Sequence, residues 1–410
     1  LEPVGQFGSR LQGGKDAAQS RYIFTKLSKL TRLLYNEDDD VLCDYLDDDG
    51  QKIEPVYYYP IIPTILINGS QGIGTGYSTK IPMYNPNTIC NYIKNMISGN
   101  ENKPLTPWYR GFRGKIESTS EGSYVSRGVY TINKKKTIDI TELPIGGWTE
   151  DYVNTLDKMS VERGKETCKN FVRSFEDNST EDKVNINIKM NPNTITKWAN
   201  KFGRDGIIEL ENRLKLTTAM SIRNMYMFDE NSHIIKFNTV EDIIERWFNI
   251  RKSIYIKRRD YMLQKLKTEL DIIKFKVKFI TEIVNNIRVI NKKKKQVIID
   301  ELEQDNYPKI GDIKPSYDYL LNMNLYKLTY EEIEILKEKL NIKQVIHDIL
   351  LAKTANDLWI EDINEFQKEW KKDLSRYNKE HKEPDTGSKT LKFKKTKSKT
   401  KSKTKSKTKK

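Results

Sequence analysis

Residues 13–27, "GGKDAAQSRYIFTKL", set two glycines and a lysine ahead of the pair Arg21-Tyr22. These residue types suit phosphoryl transfer, which needs a nucleophile, cations on the non-bridging oxygens and in-line positioning. A phenol such as Tyr22 is a weak nucleophile until electropositive neighbours help it shed its proton. Arg21 is an adjacent, permanently charged fork of donors. Lys15, behind Gly13-Gly14, can approach a phosphate closely because glycine removes side-chain bulk. The same stretch also reads as a basic loop ending in a core tyrosine, and an Arg-Tyr pair alone does not separate the two.

Two other stretches invite chemistry. "NGSQGIGTGYSTK" (residues 68–80) is rich in glycine, but its spacing fits neither phosphate-loop pattern. From Gly69 the P-loop register reaches Gly74 and then Thr75 where a lysine is needed, and Gly72, Gly74 and Gly76 do not follow GxGxxG. What remains is Ile73, flanked by glycines: either an inward-packing residue or a wedge of the kind that unstacks base pairs. "NEDDDVLCDYLDDDGQ" (residues 36–51) offers Asp38-x-Asp40 and Asp47-x-Asp49, spacing that suits Mg²⁺ beside phosphates. It lacks an EF-hand's ligand order and reads as a solvated face, so no metal ligand is assigned. Cys43, Cys90, Cys168, His233, His347 and His381 are scattered without CxxC or HxxxH spacing, which argues against zinc and for a reducing compartment.

Elements must position these residues. Ile23, Leu27, Leu30 and Leu34 fall at helical spacing, so residues 1–60 read as the end of an α-rich domain closing on the acidic loop. Residues 61–235 mix helices with strands, and "GKIEST", "SYVSRGVYTI" and "TIDITEL" read as one antiparallel sheet. Leu263, Leu266, Leu270, Ile273, Val277, Ile280 and Val284 then follow a 3-4 alternation over three heptads, a coiled-coil seam. Extended back to Val240, that helix would be about 65–70 Å long. A second helical run is expected over 329–374, with Leu336, Leu340, Ile346, Ile349 and Leu350 on its seam. The pair predicts an antiparallel hairpin with a small insert.

Composition bounds the rest. At 410 residues two or three domains are expected. The longest apolar run, "YYYPIIPTILI", is broken by two prolines, so no transmembrane helix is expected. Leu1 and "LEPVGQFGSR" do not open like a signal peptide, and the chain reads as a fragment. Of the net charge of +15, twelve units sit on lysines of residues 389–410, a low-complexity tail ending "KTKSKTKSKTKSKTKK" that is expected to be disordered.

"GQFGSRLQGGKDAAQSRYIFTKLS" and "EPVYYYPIIPTILINGSQGIGTGYSTKIPMYNP" closely resemble consecutive segments of type IIA DNA topoisomerases of the eukaryotic and viral topoisomerase II kind. "PWYRGFRGKIE", "ITELPIGGWT", "YDYLLNMNLYKLTYEE" and "DLWIEDINEF" extend the resemblance to about residue 372. It implies a mixed α+β, multidomain chain: residues 1–60 the end of a winged-helix domain, 61–235 a tower, 236–375 a coiled coil whose insert (about 287–328) is the exit gate, and 376–410 a basic tail. It implies that Tyr22 attacks a DNA phosphate and becomes linked to a 5′ end, that Arg21 assists there, that Lys15 contacts DNA and that Ile73 intercalates. Double-stranded DNA and a second copy of the chain are the implied partners. Mg²⁺ and ATP are implied for the complete enzyme, on domains that nothing in these residues resembles. The implied setting is the nucleus, or a viral or host DNA-replication compartment. The alternatives are a cleavage subunit encoded separately and a non-catalytic DNA-bending scaffold, and the intact Arg21-Tyr22 pair argues against the second.

Overall fold

The computed structural model describes residues 1–381 except 121, 134–135, 162–165, 168, 204–205 and 312–314; Cys168 and the lysine tail lie outside the described residues. The first 60 residues are not α-rich. Ile23 to Leu30 form no helix: Phe24–Lys26 pairs antiparallel with Glu2–Val4, and only Thr31–Leu34 turns into an α-helix. The aromatic and β-branched run Tyr22-Ile23-Phe24-Thr25 favours the extended chain, and strand pairing outweighs the apolar spacing. Glu37–Leu42 is a 3₁₀ turn, and Tyr45–Asp48 and Gln51–Pro55 form a hairpin. Its turn puts Asp49 and Gly50 at positive φ, as an Asp-Gly hairpin turn requires.

The central region holds two antiparallel sheets rather than one. Lys115–Ser120, Ser123–Arg127 and Thr217–Ser221 form the first; Val129–Ile132, Thr137–Glu142, Ile186–Met190 and Val172–Asp177 form the second. "SYVSRGVYTI" is therefore divided at Gly128. A side chain there would overlap the Glu142 carbonyl oxygen, while the Gly128 N–H donates to Leu216 O at 2.9 Å, so the chain crosses between sheets where only glycine fits. Ile138, Ile140, Ile186 and Ile188 alternate inward and pack on Tyr152 and Leu156 of the helix Thr149–Lys158.

Thr239 caps the 45-residue helix Val240–Val284 in a reciprocal box with Asp242. Tyr330–Ala352 runs antiparallel to it: Tyr330 meets Asn285, Lys343 meets Glu269, and Arg259 donates to the Leu351 and Lys353 carbonyls. The second helical run is not continuous. It breaks at Lys353, and Thr354 starts a new helix, Ala355–Glu380, with a second capping box through Asp357. Leu336 and Leu350 are buried, but Ile346 and Ile349 stand exposed. Lys343 and His347 occupy the positions facing the long helix, so the sequence's most apolar stripe lies on the neighbouring face. Between the helices, Phe279, Leu302, Tyr307, Tyr317 and Leu320 make a small separate core. The main core joins the long helix's base to Ala355–Glu380 through Trp359, stacked between Phe248 and Tyr255 with its indole N–H donating to Ile61 O at 2.9 Å.

Candidate nucleic-acid interface and cleavage site

Tyr22 ends a single 3₁₀ turn, Ser20–Tyr22, immediately before the strand that pairs with Glu2–Val4. The pairing fixes the backbone and leaves the phenol outside, 63% exposed. It is not a core tyrosine. The Arg21 guanidinium lies over its ring, 4.9 Å from the centroid, so a delocalised cation sits against the candidate nucleophile.

Lys15 rides on a loop whose ends are closed by Asp16, which accepts from both the backbone N–H and the hydroxyl of Ser9. Those bonds to the charged form hold the Asp16 carboxyl below its ordinary range. Lys15 faces Asp151 at 3.7 Å, both side chains being exposed. Arg21 and Tyr22 are brought together; among the described residues no hydrogen bond or ion pair joins Lys15 to Tyr22.

The glycine-rich stretch is a hairpin, Ser70–Ile73 with Ser78–Ile81, closed by the Gly74 N–H donating to Tyr77 O at 2.8 Å. Ile73 stands at its tip, 90% exposed. The base is anchored: Ile81 is buried, the Lys80 N–H donates to Asn224 O at 2.8 Å, and Tyr77 meets Tyr226 edge-on. An apolar side chain held out by a fixed base loses no packing when it enters a ligand.

Sequence reasoning missed a cationic wall. A cavity of about 840 Å³ is lined by Arg10, Lys80, Arg110, Arg113 and Lys183, with only Glu142 and Asp182 in opposition. Arg110 is fixed by Asp373 at 2.9 Å and by the rings of Trp370 and Tyr377. The two arginines of "YRGFRG" were the available signal, but Arg10, Lys80 and Lys183 arrive from distant segments.

The acidic stretch divides. Asp47 to Asp49 occupy the exposed hairpin turn, a solvated face. Asp39 does not: it is 3% exposed, accepts from Arg251 at 2.7 Å and lies 3.9 Å from Arg258. Arg258 also binds Asp38 and Asp362, and Tyr255 donates to Asp362 at 2.8 Å. Burial pushes the Asp39 carboxyl above its ordinary range against the pull of both arginines. Asp40 pairs with Arg32 at 2.5 Å. These carboxylates are spent on arginines, and among the described residues no group of three or more His, Cys, Asp or Glu is arranged to hold a metal. The residues present do not fit Mg²⁺.

Residues 1–365 match the family described as the A-type chain of DNA gyrase/topoisomerase IV. The chain is 38% identical to DNA topoisomerase 2 of Plasmodium falciparum over 93% of its own length and 29% of that protein's. It is 34% identical to the mimivirus DNA topoisomerase 2, over 89% of this chain and 33% of that one. A crystal structure of the Plasmodium falciparum topoisomerase II DNA-binding, cleavage and re-ligation domain superposes with a TM-score of 0.76 at 38% identity, covering 92% of this chain and 53% of that one. The chain thus spans about a third or less of the curated relatives named here. With the family matched over nearly all the described residues and the fold shared with a solved cleavage domain, this chain belongs to the DNA gyrase/topoisomerase IV family.

Proposed function

We propose that this chain is the cleaving and resealing part of a type II DNA topoisomerase. The observation that carries the reading is the exposed Tyr22 phenol with the Arg21 guanidinium against it, held on a strand-pinned turn. In the reaction the Tyr22 oxygen attacks a backbone phosphorus and the bond from phosphorus to the 3′ oxygen breaks. The phenolic proton passes to solvent or to the leaving 3′ oxygen, and the 5′ end stays on the tyrosine. Reversal by the 3′ hydroxyl reseals the strand. Arg21 neutralises charge developing on the non-bridging oxygens, and Lys15 adds a second cation at the backbone. Ile73 enters the base stack and bends the duplex, while the arginine-lined cavity supplies backbone attraction.

A break in both strands needs two tyrosines, hence two copies of the chain. Residues 1–60 then serve as the end of the winged-helix domain, 61–235 as the tower, and the antiparallel helices as the arms of an exit gate. The segment 287–328 at their far end exposes Ile287, Val289, Leu325 and Tyr326, apolar surface suited to a second copy. Mg²⁺ and ATP belong to other parts of the complete enzyme, and its setting is a DNA-containing compartment of the cell. The test is transfer of end-labelled duplex to protein by the full natural enzyme. Tyr22→Phe should abolish 5′-linked adducts and leave duplex affinity within about threefold, since a hydroxyl carries little phosphate-binding charge. Adducts that persist in the Phe variant refute the assignment.

A further inference from the structure

The Lys15 loop is held from outside. Gly13, at φ +64°, lies flat against the indole of Trp148: a Cβ there would stand 2.5 Å from Nε1 and closer still to Cε2 and Cδ2. Around that contact the Thr149 N–H donates to Arg10 O at 3.4 Å, the Glu150 N–H to Leu11 O at 3.1 Å, and the Arg10 N–H to Glu181 O at 2.7 Å. The Gln12 amide reaches Glu150 at 3.0 Å, and the Arg10 guanidinium pairs with the buried Glu142. Trp148 and Thr149 open the helix Thr149–Lys158, which packs on the four-stranded sheet.

We infer that Trp148 is a positioning residue for DNA cleavage. Its indole, with the Arg10–Glu142 pair, sets where residues 8–16 stand and so where Lys15 meets a phosphate. The inference rests on the reading of Tyr22 as nucleophile and Lys15 as a backbone contact. Lys15 and Asp151 are both exposed, so their pairing is weak and cannot fix the loop. A loop with two adjacent glycines would otherwise deliver the lysine at a large cost in ordering. Flat contact with an indole and a buried ion pair remove that cost before DNA arrives, which is preorganisation of the phosphate site. The contact also ties the loop to the sheet region, so the cation and the tyrosine are mounted on different supports and cleavage depends on the alignment of the two.

The test uses the full natural enzyme, a labelled duplex at saturating concentration, and hydrogen exchange of residues 9–15. Gly13→Ala should slow adduct formation about tenfold or more while affinity changes less than about threefold, because a misplaced loop costs rate more than binding. Trp148→Ala should slow it as well and raise exchange in residues 9–15, with residues 70–81 unchanged; Trp148→Phe should retain part of the rate. The double variant Gly13→Ala/Trp148→Ala should cleave faster than Gly13→Ala alone, since removing the ring makes room for the methyl. Losses that multiply in the double variant, or a Trp148→Ala enzyme with wild-type cleavage and exchange, overturn the inference. If wild type forms no adduct, or Tyr22→Phe still does, the reading of Tyr22 fails instead. The exchange comparison then decides on the clamp alone: a rise confined to residues 9–15 supports it, and no rise overturns it.

Discussion

Replacing Ile73 by alanine should uncouple DNA bending from DNA binding. Ile73 is already 90% exposed in the free protein, so the substitution removes no core packing and should change folding stability by less than about 0.5 kcal/mol. The loss falls on the bent complex, where the side chain would be buried between base pairs. Isoleucine exceeds alanine by three carbons, and at about 0.8 kcal/mol for each that is buried the bent state loses about 2.4 kcal/mol, a factor of about 50 in the bent-to-straight ratio. Affinity should fall far less, because the lysines and arginines that attract the backbone are untouched and a straight complex remains available. Energy transfer between dyes at the two ends of a gate duplex measures the bend, and titration of the same duplex measures affinity. An unchanged bend angle, or a clear drop in melting temperature, would refute the reasoning and make Ile73 a packing residue.

Asp39→Asn should destabilise the chain by about 3–5 kcal/mol in denaturant titration, because it leaves the Arg251 guanidinium, 1% exposed, without its carboxylate; a loss under about 1 kcal/mol would mean that the pair is not desolvated in solution. The Asp16 carboxyl is held below its ordinary value of 3.8 by Ser9, so what it contributes is complete above that value and lost as pH falls through the folded one. Exchange protection of residues 9–16 should therefore persist down to about pH 4 and disappear only below it; loss near pH 5 would contradict the Ser9 link. Deleting residues 389–410 removes twelve lysines and should flatten the dependence of duplex affinity on salt, with identical slopes excluding a DNA role for the tail.

What the sequence made legible was local. The Thr239 to Asp242 box and the 3-4 seam marked the long helix at both ends, because capping and periodicity are written in neighbouring residues. The glycines around Ile73 marked an exposed apolar tip for the same reason. Misreadings arose where distant segments decide. Helical spacing from Ile23 to Leu34 lost to strand pairing with Glu2–Val4, Gly128 changed sheets because of the Glu142 carbonyl, and Asp39 was buried by arginines more than 200 positions away. The Gly13–Trp148 contact is of this kind too. Nothing near Gly13 in sequence announces an indole.

The knot of Asp38, Asp39, Asp362, Arg251 and Arg258 also has a mechanical side. Its two arginines are seven residues apart on the long helix, a footing of about 10 Å, and about 39 Å of helix extends beyond Arg258 to Val284. Play of about 0.5 Å across that footing tilts the shaft by about 3° and swings its far end by about 2 Å, enough to spoil a side-chain fit there. Apolar contacts slide at little cost, whereas a buried ion pair resists stretching because its attraction falls with distance and water does not replace it. Charge at the root of the arm thus acts as a stiff bearing, and the tolerance at the distant tip is set by two guanidinium groups beside the tyrosine-bearing segment.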